Sequence, residues 1–425
     1  MEFAFEKNFA EEADKKDELK SFREQFYIPK IQQKDALYFC GNSLGLQPKT
    51  VDIHLQQELK DWKELGVEGH FEAKNPWFYY HHFLTPGLTE LLGAKKSEVA
   101  AMNALSVNLH LLMVSFYNPG KNKFKVLTDT PIFPSDRFAI QSQADFHGYE
   151  NALLEVDISN CNGSEANEKI IQNILKHKDE LALILLSGVN YYSGHYYDHK
   201  KISEVASANN ITFGLDLAHA IGNVPLKLNE WDVDFATWCS YKYLNSGPGG
   251  CSGIFVHEKH HENNQLKRFN GWWGTDEETR FKMEKQFVPQ KGAGAWQLSN
   301  APVLSMAAQK ASLEIFQKAG ILKLRKKSEQ LTAYMAFIIT ETERKFSGKF
   351  NLITPPEKES RGCQLSILAK DRGREIFDEM KKGGLIADWR EPDVIRLAPV
   401  PLYNSFSDVY QFGVLLNEAC HKIYR

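Results

Sequence analysis

Between Ile211 and Gly253 the sequence reads ITFGLDLAHAIGNVPLKLNEWDVDFATWCSYKYLNSGPGGCSG. A β-rich run, ITFGLDLA, ends on Asp216, with His219 just beyond it. A second run, VDFATWCSYKYL, ends on Tyr241 and Lys242 and passes into Gly247, Pro248, Gly249 and Gly250. Apolar runs of this length, bounded by Gly, Pro and Asn, read as buried strands of an α/β sheet. If the two strands are parallel, both polar endings fall at the carboxyl edge of the sheet, where such folds bind ligands.

A carboxylate and a lysine presented together at that edge point to a pyridoxal phosphate site. The lysine would form a Schiff base, and the carboxylate would keep the pyridine nitrogen protonated. Taken alone, the same pair also fits a solvated structural role. The flanking TWCSY and YLNSGPGG weigh against that role, because an unpaired ammonium is costly to bury.

The chain has 425 residues, enough for two domains or one large domain with an appendage. Its net charge of −3 gives no basic footprint for nucleic acid and no polybasic segment for a membrane. The first residues, MEFAFEKNFAEEADKKDELK, lack the apolar core of a signal peptide, and no apolar run approaches a membrane span. The six cysteines include no C-x-x-C pair, so neither a disulfide framework nor a cysteine zinc site is expected. These features predict a soluble, reduced, cytoplasmic protein without metal.

In chain order, the charged pattern EEADKKDELKSFREQF predicts one helix ending at Pro29. YFCGNSLGLQPKT reads as a short strand and a turn whose glycines admit close backbone approach. A helix follows over 50–65. The adjacent His81 and His82 point in different directions on a helix and read as surface or core residues. The apolar repeat from Val107 predicts a helix with its N-cap near Ser106, a ready phosphate cradle. KVLTD reads as a strand, and Phe133 sits between two prolines just ahead of Asp136 and a helix. LALILLSGV, 181–189, is a continuous apolar strand of the kind covered on both faces. The β-α-β alternation through residue 256 predicts a doubly wound, mainly parallel sheet. A long helix is expected from Ala307, followed by a smaller α+β domain with strands NLITPP, CQLSILA and DVIRLAPV.

The runs YFCGNSLGLQP, MNALSVNLHLLM, FPSD, GLDLAHAIGN, WCSYKYLNSGPGG, RFNGWWG, LSNAP and VIRLAPVPLYNSF make the chain resemble the kynureninase family over nearly its whole length. That resemblance implies a fold type I pyridoxal-phosphate architecture: a large domain with a mainly parallel, helix-covered sheet and a smaller α+β domain. It implies an N-terminal segment over 1–65, a large domain over 66–306 and a small domain over 307–425. It further implies a homodimer and hydrolysis of L-kynurenine or 3-hydroxy-L-kynurenine to the corresponding anthranilate and L-alanine, in tryptophan catabolism or NAD biosynthesis.

Residue by residue, the resemblance makes Lys242 the Schiff-base lysine and Asp216 the partner of the pyridine nitrogen. Leu105 and Ser106 hold the phosphate. Phe133, Pro134, Ser135 and Asp136 of FPSD, with Ser187 and His219, surround the ring. Tyr241 is a phosphate ligand and candidate proton donor. Trp272 and Asn300 complete the pocket across a dimer interface. Arg396 grips the substrate carboxylate, while Ser43 and His70 stand near its aromatic end. Ser106 replaces the threonine many members carry and supplies the same hydroxyl. A cysteine desulfurase or small aminotransferase is the nearest enzymatic rival, with Cys363 as the only suggestive thiol. A cofactor-free binding homologue is the rival from another class, and it has no need of Asp216, Lys242 and Arg396 together.

Overall fold

The structure, a computed structural model, describes residues 2–263, 265–282 and 285–424. Helix α1 spans Lys7–Lys15, and Lys20–Gln25 form a separate 3-10 helix, where the charge pattern predicts one continuous helix. Asp17 makes the break. Its Oδ1 accepts a hydrogen bond from Leu19 N at 2.9 Å, and its Oδ2 pairs with Lys327 Nζ at 2.7 Å. A side chain that bonds its own neighbouring amide offers the backbone an alternative to the helical ladder. Helix α2 (Val51–Leu65) then stops at Gly66, whose φ of 56° only glycine adopts cheaply.

Strand β1 (Val99–Ala101) is too short for a periodicity to announce it. Helix α3 (Leu105–Phe116), β2 (Lys125–Thr130), α4 (Pro134–Phe146), β3 (Leu153–Asp157), α5 (Gly163–His177) and β4 (Leu181–Ser187) follow. After them come α6 (His199–Ala208), β5 (Thr212–Asp216), β6 (Phe235–Trp238) and β7 (Gly253–Val256). These seven strands form one sheet in the order β1-β7-β6-β5-β4-β2-β3. The neighbours from β6 to β3 run parallel, whereas β7 is antiparallel to both β6 and β1.

Strand β4 explains why its sequence is apolar without interruption. Leu183 and Leu185 pack into the core on one face of the sheet, and Ile184 and Leu186 into the core on the other. Successive strand side chains point to opposite faces, so helices must cover both.

Beyond the sheet, α7 (Val303–Ala319) and α8 (Ile321–Lys345) replace the single long helix expected from Ala307. Gly320, at φ 77°, turns the chain between them. Strands β8 (Phe350–Leu352), β9 (Leu365–Ala369), β10 (Asp388–Arg390) and β11 (Val394–Leu397) make an antiparallel sheet in the order β8-β9-β11-β10. Helix α9 (Phe406–Ile423) closes the chain with a reciprocal cap between Ser405 and Asp408. The N-terminus is tied to this layer: Asp14 accepts from Phe406 N and Ser407 N at 2.7 and 3.0 Å, and Asp408 pairs with Arg23 at 2.6 Å.

The glycines of GNSLG are used for close approach. Gly45 N donates to Tyr241 O at 2.9 Å, and a Cβ on Gly45 would stand 2.3 Å from Lys242 O and 2.2 Å from Asn245 Oδ1. Gly45→Ala should therefore push the 241–245 turn outward, at a cost of about 1–3 kcal/mol. A lower urea midpoint together with weaker retention of pyridoxal phosphate is the expected result. An unchanged midpoint would mean that the two segments are not packed as described.

Candidate active site

Strands β5 and β6 are parallel, with Asp216 opposite Thr237, so Asp216 and the turn after β6 emerge at the same carboxyl edge. They border a cavity of about 140 Å³. Its walls bring together Leu105, Ser106, Phe133, Ser135, Asp136, Ser187, Asp216, His219, Tyr241 and Lys242. Pro134 opens α4 between two of these without lining the cavity itself.

Lys242 Nζ lies 3.1 Å from His219 Nε2 and 5.4 Å from the centre of the Phe133 ring. Burial, reinforced by the charge of Lys242, pushes the His219 imidazole well below its usual range. The ring therefore stays neutral, and Nε2 accepts from the lysine. Opposite the lysine, burial and then the neighbouring Asp216 drive the Asp136 carboxyl well above the usual carboxylate range. Asp136 therefore keeps its proton at neutral pH. Asp216 Oδ1 is fixed by Ala218 N at 2.7 Å. Burial, then the Cys239 thiol, raise the Tyr241 phenol, which keeps its proton at neutral pH.

A second corner of the cavity is built from two helix starts. Ser106 lies in the first turn of α3 and Ser135 in the first turn of α4, with their hydroxyl oxygens 2.7 Å apart. The N-cap positions are Ala104 and Phe133, and neither supplies a side-chain cap. Ser106 is thus not the N-cap that the apolar repeat predicts. Its hydroxyl is free of capping, and the amides of Leu105, Ser106 and Ser135 at the two helix starts remain available to an anion, whereas Pro134 has none and Asp136 N donates to Phe133 O.

This donor set fits pyridoxal phosphate. A lysine and a carboxylate pair face each other, two uncapped helix starts with hydroxyls can hold a phosphate, and the Phe133 ring can lie against an aromatic ring. Asp136 Oδ1 and His219 Nδ1 are buried without hydrogen-bond partners among the described residues, polar atoms of the kind a bound group satisfies.

The floor of the cavity depends on Asp129. Its carboxylate accepts from Ser187 N (2.9 Å), Asn190 Nδ2 (2.7 Å) and Tyr197 Oη (2.8 Å). Asn190 in turn accepts from Tyr192 N and Ser193 N, both at 3.0 Å, which coils the chain just after β4. The loop delivers Tyr191, a cavity residue the sequence reading passes over. The Tyr191 ring meets Phe133 edge-on at 5.2 Å, and its carbonyl accepts from Arg396 Nη1 at 2.6 Å. The available signal was position, since YY follows a buried strand at the carboxyl edge. Cys239 also lines the cavity without having been singled out.

The remaining expected residues lie elsewhere. Arg396, on β11, is fully buried and paired with Asp388, and burial pulls its guanidinium down to about 10. Any substrate carboxylate must displace or share that pair. Ser43 stands in the turn that Gly45 anchors to Tyr241. His70 and Asn300 line a separate cavity of about 210 Å³ with Trp62, Trp77 and Trp273. Trp272 is half exposed and donates from Nε1 to Arg280 O at 3.2 Å. Cys363 is wholly buried, and burial pushes its thiol up to about 12, which removes the nucleophile a desulfurase reading requires.

The Aminotransferase class-V family profile matches residues 88–360, and the profile of the Kynureninase C-terminal domain matches residues 324–416. A relative from Flavobacterium psychrophilum named Kynureninase is 49% identical over 96% of this chain and 97% of its own length. A relative from Koribacter versatilis with the same name is 50% identical over 95% and 96%. Among solved structures, a C-DES mutant with glycine covalently linked to its PLP cofactor matches with a TM-score of 0.78 at 14% identity. That match covers 93% of this chain and 99% of the other, a likeness of fold.

Beneath the site loop, His199 Nε2 donates to Gly188 O at 2.9 Å, and burial lowers its imidazole to about 4. Below about pH 6.5 the unfolded chain takes up a proton that the folded chain refuses, so stability falls as pH drops from about 6.5 to about 4. The loss attributable to His199 is at most about 3 kcal/mol. His199→Gln keeps a donor without titrating and should lose less stability across that window. Urea midpoints measured at a series of pH values check this, and identical slopes would exclude the role.

Proposed function

The chain belongs to the kynureninase family and uses pyridoxal phosphate, and we propose that it hydrolyses L-kynurenine or 3-hydroxy-L-kynurenine to the anthranilate and L-alanine. The reaction would serve tryptophan catabolism or NAD biosynthesis. The observation that carries this reading is Lys242 facing the Asp136–Asp216 pair inside one buried cavity.

When bound, pyridoxal phosphate supplies an electrophilic carbonyl and an electron-accepting ring. Lys242 Nζ is the group that would hold the cofactor covalently in the resting enzyme. Freed, the same nitrogen takes the proton from the substrate α-carbon, a transfer it is placed for by its cavity position. Asp216 would pair with the pyridine nitrogen, with Asp136 and His219 setting the electrostatics around it. Leu105 N, with the hydroxyls of Ser106 and Ser135, would hold the phosphate. Pro134 sets the start of α4, and Phe133 and Ser187 would border the ring. Tyr241 Oη, protonated at neutral pH, delivers a proton to the carbon that becomes alanine. Arg396 receives the α-carboxylate through its planar fork.

Ser43 and His70 are assigned to the aromatic end of the substrate, and Trp272 and Asn300 to the completion of the cofactor and substrate pocket across the interface of a proposed homodimer. The His70–Asn300 cavity and the Lys242 cavity share no lining residue. Trp62, Val67, Phe71, Trp272 and Phe281 expose large apolar side chains, a surface of the kind that marks an interface. In the proposed arrangement one subunit brings its His70 and Asn300 to the Lys242 of its partner. The proposed division of the chain is 1–65, 66–306 and 307–425, supported by the packing of α1 on α9. A cytoplasmic location is supported by six free cysteines, and no described helix is long and apolar enough to cross a membrane.

An absorbance spectrum taken before and after adding L-kynurenine, with anthranilate fluorescence in the same cuvette, tests the function. Lys242→Ala should lose both the visible band and turnover, and retention of both would sink the assignment. Mixing Lys242→Ala with Asn300→Ala protein, each inactive alone, should restore part of the activity through hybrid dimers. No recovery after subunit exchange would place both residues in one subunit's site.

A further inference from the structure

His81 and His82 lie in the 3-10 helix Trp77–Phe83, and adjacent positions are expected to diverge. In the fold their rings are tilted 36° with centroids 4.1 Å apart, and both turn toward one carboxylate. His82 Nε2 is 3.0 Å and His81 Nε2 3.5 Å from Glu277 Oε1. We propose that His81, His82 and Glu277 bind a divalent metal ion of the zinc class.

One ligand atom from each residue falls within 4.8 Å of the others. Bonds of about 2.0–2.1 Å in a tetrahedral site place ligand atoms about 3.3 Å apart, close to the two contacts with Glu277. Two imidazoles and a carboxylate form the donor set of zinc sites that leave a fourth position to water. That position has room, because both histidines border a cavity of about 370 Å³ whose lining also includes Gln290 and Lys291.

His81 supplies the second, independent observation. It is 5% exposed, and neither ring nitrogen has a hydrogen-bond partner among the described residues. A simple ion pair between Glu277 and His82 accounts for His82 and leaves His81 buried and unsatisfied. Arg280 opposes the ion by its charge. Its guanidinium, however, is turned onto the rings of Trp273 and Phe78 at 4.4 and 4.9 Å, and it donates to Trp273 O and Thr275 O.

A bound ion ties the aromatic helix Trp77–Phe83 to the segment bearing Trp272 and Trp273. It thereby braces the wall of the cavity that holds His70 and Asn300 without touching the Lys242 cavity.

The test is titration of chelator-treated holoenzyme with Co²⁺, followed by competition with Zn²⁺. The expected result is one equivalent per chain with visible bands of low-symmetry cobalt, removed by zinc. Zinc at a hundredfold excess over its dissociation constant should shift the folding equilibrium about 100-fold, read as a rise in Tm. His82→Ala and Glu277→Gln, at a half-exposed and a partly exposed position, should each weaken binding by roughly tenfold or more while leaving the cofactor absorbance unchanged. Absence of stoichiometric binding by either ion, or binding that survives both substitutions undiminished, would overturn the proposal.

Discussion

An ammonium and two carboxyl groups share one cavity from which water is nearly excluded, and the architecture of the carboxyl edge answers that fact. Lys242, Asp216 and Asp136 are each no more than 8% exposed. Removing a single ion from water costs several kcal/mol even after relaxation, unless partners compensate. Compensation comes by three routes. His219 stays neutral and accepts from the lysine, Asp136 takes up a proton rather than a second negative charge, and Ala218 N fixes Asp216. Each route needs a precise backbone position, which the parallel pairing of β5 with β6 and the coil anchored on Asp129 supply. The cavity is therefore a polarised environment built in advance, with its lysine and its carboxyl groups already in one lining.

What the sequence made legible was the part written in local runs. Two apolar strands ending in Asp216 and Lys242, an uninterrupted β4 and a β-α-β rhythm suffice to place both residues at one edge. Boundaries set by tertiary partners were not legible. Asp17 breaks the first helix because Lys327, far along the chain, holds its side chain, and Gly320 splits a pattern that reads as one helix. Ser106 looked like a cap because an N-terminal serine usually is one, whereas its hydroxyl meets that of Ser135 in the cavity wall. Tyr191 was hidden in a loop, and its place depends on Asp129 and Asn190, whose own roles appear only when β2 and β4 lie side by side.

The division of the expected site residues follows the same logic. His70, Asn300 and Trp272 were tied to Lys242 by resemblance alone, and no local pattern could say that His70 and Asn300 would line a different cavity and Trp272 stand half exposed. His81 and His82 were set aside on the geometry of a regular helix. The tighter 3-10 turn and the return of Glu277 bring them together, and neither feature leaves a trace in a hydrophobic repeat.

The Gly41–Gly45 turn bears on modularity. The class-V profile begins at residue 88, yet the backbone around Lys242 is completed by Gly45, and Arg396 arrives from the far end of the chain. A fragment cut to the profile would keep every strand of the large sheet while leaving the Tyr241 carbonyl without its donor and Tyr191 without its guanidinium. The unit that the class-V profile spans is thus smaller than the unit that completes this site. Transplanting this site onto another scaffold would mean moving both chain ends with it.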